Sequence, residues 1–338
     1  MIWGFGLVGL VGYVALVVFG SRWSKPRTGA LPMSQPSKSY RAADTLTVTS
    51  WNLGFAGLGA KADFKIDGGR YLRPLSRGEI STAAQGIAQR LQELDSDINL
   101  LQESAGPSFL TRGVNLRHIL TAAFSEQGAS HWTDFASRFV PLPLKFDHGM
   151  SVFSRLTHSG CSAILLPQDD SYHVEFLKKY YGAMRLVVPG AEAGADWVFY
   201  NIHLSAYDKG AAARHAQMKA VMEQVITDYE AGCAVIIGGD WNMRVADTEF
   251  PHDTPPAQTH LMSEFPRSML PDGWRLVVDP ATPTVRTLST PFERGKNGMS
   301  IIDGFVVSPN VSVLSVKTVD LNFEHTDHHP VTARFALR

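Results

Sequence analysis

Short apolar runs that stop abruptly at a carboxylate, an amide or an imidazole constrain this chain more than any other feature. The stretch Val235-Ile-Ile-Gly-Gly-Asp-Trp-Asn242 is the sharpest case. Three β-branched residues in a row suit a strand covered on both faces. A carboxylate at the end of such a strand is costly to bury unless it is paired, hydrogen-bonded or bound to a cation. Asp240 and Asn242 therefore either close a turn or do chemistry. Gly-Gly-Asp is ordinary turn material, so this stretch alone leaves both readings open.

Comparable runs recur along the chain. Residues 46–51, 98–101, 150–153, 183–188, 197–203, 301–307, 311–319 and 331–335 read as strands, and residues 81–94 and 211–229 carry apolar side chains at helical spacing. With no internal repeat and no long linker after residue 45, the pattern predicts one α/β domain of packed sheets over 46–338. At 338 residues, 44% of them hydrophobic and 19% charged, the chain can bury a large core. Its two cysteines, Cys161 and Cys233, lie in apolar contexts, which argues against a disulfide framework and a cysteine metal site.

The N-terminus differs in kind. Residues 2–20 contain no charged side chain, enough to cross the ~30 Å hydrocarbon layer as a helix, so residues 1–23 read as a membrane anchor or a signal peptide. Arg22, Lys25 and Arg27 follow the apolar run. By the positive-inside rule that order predicts an uncleaved single-pass anchor with the body on the cytoplasmic side; cleavage near Gly20 would instead export it. Residues 24–45, rich in Pro, Ser, Lys and Arg, read as a flexible basic tether suited to an anionic membrane face. The first 45 residues hold five basic side chains against one acid, so a formal net charge of −1 leaves the rest near −5. Such a body lacks the broad positive footprint of a non-specific nucleic-acid binder.

The residues at the ends of the apolar runs share a chemistry. They are Asn52, Glu103, His203, Asp240, Asn242, Asp303 and the Thr326-Asp-His-His-Pro330 segment. Singly, each could be a turn residue, a cap or an edge charge. Together, Glu103, Asp240, Asp303 and Asp327 can hold a divalent cation by oxygen, while His203 and His328 can move protons or meet a phosphoryl oxygen.

The ordered set Ser50-Trp-Asn-Leu-Gly54, Leu101-Gln-Glu-Ser104, Asn201-Ile-His-Leu204, Gly239-Asp-Trp-Asn242, Ile302-Asp-Gly-Phe305 and Thr326-Asp-His-His-Pro330 resembles the endonuclease/exonuclease/phosphatase superfamily. The resemblance spans roughly residues 46–338. It implies a four-layer sandwich, two β-sheets packed together with helices outside, and Mg²⁺-dependent hydrolysis of a phosphodiester, with Mn²⁺ as a substitute. Carried over by motif, Glu103, Asn52 and Asp327 would form the metal site, and His328, oriented by Asp303, would activate water or face the phosphate as a positive partner. Asp240 would activate the nucleophile or protonate the leaving group, and Asn242 and His203 would hold phosphoryl oxygens. Gly238 and Gly239 would let the backbone turn so that Asp240 and Asn242 point into the cleft.

His203-Leu-Ser-Ala-Tyr-Asp-Lys-Gly210, with Arg214 and Gln217 beyond it, resembles a bacterial branch with His where abasic-site endonucleases carry Asn. That resemblance shifts weight to deoxyribonuclease-like and neutral sphingomyelinase-like members. Residues 55–79 form a loop long enough either to cover the cleft or to lie on the surface. Arg185, Arg244, Arg286, Arg294 and Lys296 are candidate phosphate contacts. The function classes are a membrane-tethered phosphodiesterase acting on lipid head groups or small phosphodiesters, a metal-dependent nuclease acting on DNA or RNA, and an inactive membrane-bound binding module. No protein partner is implied.

Overall fold

The computed structural model describes the chain except for residues 1, 23–24, 39, 43–44, 75, 170–178, 191–193 and 256–262, and the side chains of 2–7, 21–22 and 209. The expected membrane segment and tether fall partly on these positions, and to that extent lie outside the described residues. The chain opens with helix α1 (Ile2–Arg22) and the short strand β1 (Gly29–Leu31), then β2 (Thr45–Asn52), α2 (Arg77–Leu94), β3 (Ile98–Ala105) and α3 (Leu116–Ala123). Next come β4 (Gly128–Ala136), β5 (Asp147–Ser154), β6 (Gly160–Leu165), β7 (Gly182–Val188), β8 (Trp197–His203), α4 (Ala212–Glu230) and β9 (Ala234–Asp240). Six strands follow: the short β10 (Met243–Arg244), β11 (Ser263–Glu264), β12 (Arg275–Val277), β13 (Val285–Arg286) and β14 (Met299–Ser300) and, centrally, β15 (Asp303–Val307); β16 (Val311–Thr318) and β17 (Val331–Leu337) close the chain.

Two mixed sheets carry the architecture. One has the order β1-β6-β7-β8-β9-β15-β12 and the other β16-β17-β2-β3-β5-β4, with parallel pairs at β8–β9 and β2–β3. Their inner faces meet through Val48, Leu100 and Val152 from one sheet and Leu186, Phe199, Ile236 and Phe305 from the other. Strand alternation sends Ile236 into this inter-sheet core and Val235 and Ile237 to the opposite face, under Met218, Val221 and Val225 of α4. That is why the 235–237 run is apolar throughout. The outer face of the second sheet, Trp51, Leu101 and Phe153, is covered by Ile80, Ile87 and Leu91 of α2 and Leu116 and Leu120 of α3. The layers are therefore helix, sheet, sheet, helix, as the resemblance implied.

Two N-terminal features bear on the sequence reading. Among the described residues, no helix is long and apolar enough to cross a membrane. Within 24–45, β1 pairs antiparallel with β6, the Arg27 carbonyl accepts from Trp132 Nε1 at 2.7 Å, and the Ser34 carbonyl lies 3.0 Å from His158 Nε2, so this part of the basic segment is tied along a sheet edge.

Candidate active site

The site is built at one end of the sandwich, where β8, β9 and β15 finish. Pairing is in register there: His203 lies opposite Asp240 on β9, and Asp240 lies opposite Asp303 on β15, so three of the expected site residues form one row across three strands. Gly238 and Gly239 do not make the turn expected of them. Strand β9 runs straight through both, and what requires glycine is crowding. A Cβ on Gly238 would come within 2.8 Å of Leu100 and Phe305 side chains, and one on Gly239 within 2.1 Å of the Ile202 carbonyl. The turn falls at Asn242, which takes the left-handed conformation at φ 49°.

Glu103 reaches the cleft by a different device. The β3–β5 register shifts between Leu101 and Ser104, and Glu103 sits inside this irregularity with φ 50°. Such a bulge re-aims a side chain that regular alternation would place elsewhere. Beneath it, Gln102 Nε2 donates to Asn201 Oδ1 at 2.7 Å, and Asn201 Nδ2 donates to the Leu101 and Ser151 carbonyls, binding the two sheets together under the site.

The polar contacts converge on Asp240 and His328. His328 Nδ1 lies 2.9 Å from Asp303 Oδ2, and its Nε2 lies 3.8 Å from Asp240 Oδ2. The same Asp240 oxygen accepts from Asn52 Nδ2 at 2.9 Å and lies 3.7 Å from His203 Nε2, while Asp240 Oδ1 accepts from the Asn242 amide at 2.8 Å. Asn242 Nδ2 donates to the Leu204 carbonyl, and its own carbonyl accepts from Arg214 Nη1, whose guanidinium also pairs with Asp208 at 2.7 Å. Gln217 accepts from the Ser205 amide at 2.8 Å. Arg214 and Gln217 thus brace the backbone beyond His203 and Asn242. Seven of the expected site residues, Asn52, Glu103, His203, Asp240, Asn242, Asp327 and His328, line one cleft of about 470 Å³, and Asp303 lies buried behind His328.

The electrostatics follow from burial and crowding of charge. Burial alone would lower the His328 pKa, but Asp303 first, then Asp327 and Asp240, outweigh it and hold the ring at about 10. Burial drives His203 the other way, well below the ordinary histidine value, with Lys179 and His328 adding to the effect, so His203 is neutral. Glu103 is pushed up to about 7, by burial and then by Asp327, although 27% of its side chain still faces the cleft. Asp240 is pushed up to about 6 by burial and then by Asp303. Asp327 is also raised, chiefly by burial.

This donor set fits a hard divalent cation. Glu103 and Asp327 offer carboxylate oxygens, the charge of Asp327 pushes Glu103 up, and a cation would relieve that repulsion. Asn52 Oδ1 accepts from the Gly54 amide at 3.0 Å and keeps a second lone pair. Asp240, Asp303 and His328 also bring ligand atoms within 4.8 Å of one another. The His328–Asp303 hydrogen bond and the His328–Asp240 ion pair account for that closeness, and a charged imidazole with both nitrogens protonated is a poor ligand.

Several residues sit where sequence reasoning did not place them. Arg286 is a buried staple, donating to the Leu58, Gly59 and Ala62 carbonyls and to Thr287 and Thr290, which fastens the loop after β2 over the cleft. Arg185 forms a two-point pair with Asp228 on α4 at 2.8 and 2.6 Å. Arg244, Arg294 and Lys296 pair with Glu264, Asp320 and Glu293, and none of the three lines the cleft. His329 points away from His328, stacking on Phe323 at 3.8 Å with Nδ1 2.8 Å from the Pro283 carbonyl. Conversely, the cleft contains Lys179, Asp134 and Asp67, which no motif signalled, and a wall of Phe55, Leu58, Phe64, Ile66 and Leu288. Six of these eight come from the 55–79 loop or contact it, so that loop does line the cleft.

The architecture, with Asn, Glu, His and Asp gathered at one end of the paired sheets, is the fold of the endonuclease/exonuclease/phosphatase superfamily. No family model matches the sequence, and no curated protein matches it. Similar solved structures include an endonuclease/exonuclease/phosphatase protein from Beutenbergia cavernae DSM 12333, with 18% identity and TM-score 0.59 over 87% of this chain and 72% of that one. TDP2 from Caenorhabditis elegans is similar over 86% of this chain and 75% of its own at 15% identity and TM-score 0.55. The human Nocturnin catalytic domain, solved with a bound sulfate anion, is similar over 90% of this chain and all of its own at 16% identity and TM-score 0.53.

Proposed function

We propose that the chain is a divalent-cation-dependent phosphodiesterase. The observation that carries the reading is the in-register row His203–Asp240–Asp303 capped by His328, facing Glu103 and Asp327 across one cleft. Glu103 and Asp327, with Asn52 beside them, would hold Mg²⁺ or Mn²⁺. Bound there, the ion would offset the negative charge on the phosphoryl oxygens. Asp240, kept in place by Asn52 and Asn242, takes the proton of the attacking water. His328, flanked by Asp303, Asp240 and Asp327, acts as a positive partner for the phosphate more readily than as a base, because a protonated ring has no lone pair to accept with. Neutral His203 and Asn242 donate to non-bridging oxygens.

A small or lipid-borne phosphodiester suits the cleft better than a nucleic-acid strand. Its lining carries Lys179, Arg286 and the charged His328 against Asp67, Glu103, Asp134, Asp240 and Asp327, and Arg286 is already spent on loop carbonyls. A polyanionic strand needs several cations along its track. The apolar wall instead accommodates a carbon substituent. The uncharged 2–20 segment is read as a single-pass anchor with the catalytic domain on the cytoplasmic side, and retention in the membrane pellet after carbonate washing tests it. The test of function is hydrolysis of bis-p-nitrophenyl phosphate, sphingomyelin, plasmid DNA and RNA with Mg²⁺ or Mn²⁺, by wild type, Asp240→Asn and His328→Ala. Absence of metal-dependent hydrolysis of all four substrates overturns the reading.

A further inference from the structure

The loop joining β4 to β5, residues 137–146, presents Phe139, Leu142 and Leu144 to solvent at 56, 51 and 60% exposure. An exposed loop usually carries polar residues, and three large apolar side chains at one tip mark a surface that is covered in use. The loop does not stand alone. Tyr13 Oη of α1 donates to the Phe139 carbonyl at 2.8 Å, and a Cβ on Gly20 would come within 2.6 Å of the Phe139 ring. Tyr13 and Gly20 are seven residues apart, about 10 Å along a helix, so the loop lies beside the C-terminal half of α1. Val8, Val11 and Val14 of that helix are exposed as well. At about 100° per residue, Leu10 and Leu16, also exposed, flank the side of the helix that Tyr13 and Gly20 turn to the loop, so helix and loop share an apolar surface there.

Basic side chains border it. Arg138 and Lys145 flank the tip, and Lys25, Arg27 and Arg138 line a cavity of about 320 Å³ with Trp132 and Tyr180 at the foot of α1. Apolar tips ringed by cations match a bilayer with anionic head groups, since each layer of the membrane meets its own chemistry. The loop also connects to the cleft: Phe146 packs edge-on against Phe135 at 5.4 Å, and Phe135 and its neighbour His148 line the cleft wall.

We propose that the 137–146 loop is a second membrane-entering element, which with α1 seats the mouth of the cleft against a lipid bilayer and presents it to amphiphilic phosphodiesters at head-group depth. The seating itself does not depend on hydrolysis; only the choice of substrate rests on the phosphodiesterase reading. The test uses the full chain with Cys161→Ala and Cys233→Ser, an environment-sensitive dye on Leu142→Cys, and vesicles of phosphatidylcholine containing phosphatidylserine. Leu314→Cys serves as the control, because Leu314 is equally apolar and exposed but lies on β16, at the edge of the six-stranded sheet opposite β4. With chain bound to vesicles, the dye at 142 is expected to shift to the blue and to be quenched by brominated acyl chains, while the dye at 314 stays water-like. Water-like emission at both positions, or acyl-chain quenching at both, overturns the proposal, as does failure of the chain to bind vesicles. Seating without hydrolysis of any phosphodiester would leave the docking surface standing and remove the phosphodiesterase reading alone.

Discussion

Replacing Asp303 by Asn probes the electrostatic core of the site. The carboxylate lies 2.9 Å from His328 Nδ1 and both groups are buried, so the amide keeps the size and a hydrogen bond while removing the charge. Burial opposes the charge on the ring, and Asp303 is the largest influence holding its pKa at about 10. Without that carboxylate, the ring is expected to titrate below about 7. At 1.36 kcal/mol per pH unit, a fall from about 10 to about 7 corresponds to about 4 kcal/mol of ring–carboxylate interaction. A histidine whose folded pKa exceeds its unfolded value of about 6.5 stabilises the fold fully below that value and loses the contribution as pH rises through about 10. The substitution should therefore lower the melting temperature more at pH 6 than at pH 10. Ring titration by nitrogen-resolved magnetic resonance, paired with thermal unfolding at both pH values, measures each quantity. A ring that still titrates above pH 9 in Asp303→Asn, or a melting deficit independent of pH, refutes the reasoning.

The remaining expectations concern the cation, the loop and the second histidine. Glu103→Gln removes a charge from the proposed cation site, so calorimetry should show markedly weaker Mg²⁺ binding with little change in unfolding; unaltered affinity would refute Glu103 as a ligand. Because Glu103 and Asp240 are raised to about 7 and about 6, they stabilise the fold below about pH 4 and lose that contribution as pH rises through those values. Mg²⁺ should accordingly stabilise the fold more at pH 8 than at pH 5.5, by up to about 2.7 kcal/mol at a hundredfold excess over Kd, and equal shifts in melting temperature at the two pH values would count against the assignment. Arg286→Met frees the Leu58, Gly59 and Ala62 carbonyls, so hydrogen exchange should accelerate across 55–69 while the sheets stay protected. His328→Ala should cut turnover at least ~100-fold, whereas His329→Ala, which removes a ring stacked on Phe323, should chiefly cost stability and leave turnover of the folded fraction within about tenfold.

Much of the sheet framework was legible because its strands are covered on both faces. Val235, Ile236 and Ile237 announce such a strand, and 197–203 coincides with β8. The polar residues at strand ends were legible for a related reason: Asp240, Asp303 and Glu103 interrupt apolar runs where a merely structural residue would have been cheaper. Other elements gave weak signals. Strand β4 spells Gly-Ala-Ser-His-Trp-Thr-Asp-Phe-Ala and alternates with polar residues on a half-covered edge, and α3 spans only eight residues. Local sequence could not say why Gly238 and Gly239 are glycines, because the atoms that exclude a Cβ belong to Leu100, Phe305 and Ile202. The same holds for Arg286, three of whose partners, the Leu58, Gly59 and Ala62 carbonyls, lie more than 200 positions away in the chain. Lys179 and Asp67 reach the cleft from connecting segments, where no periodicity marks direction.

The row His203–Asp240–Asp303 makes the chemistry unevenly tolerant of change in chain length. Each member is placed by counting ladder rungs, so deleting one residue within β9 would slide Asp240 off both neighbours and turn its side chain to the opposite face. Inserting residues between β9 and β15 moves nothing in the row, since the two strands pair independently of how the chain travels from one to the other. More than sixty residues already make that journey. A fold arranged this way can exchange whole connecting segments, and with them the walls of the cleft, while its reacting groups keep their spacing. Sequence identities of 15 to 18% with similarly folded proteins are compatible with that division of labour.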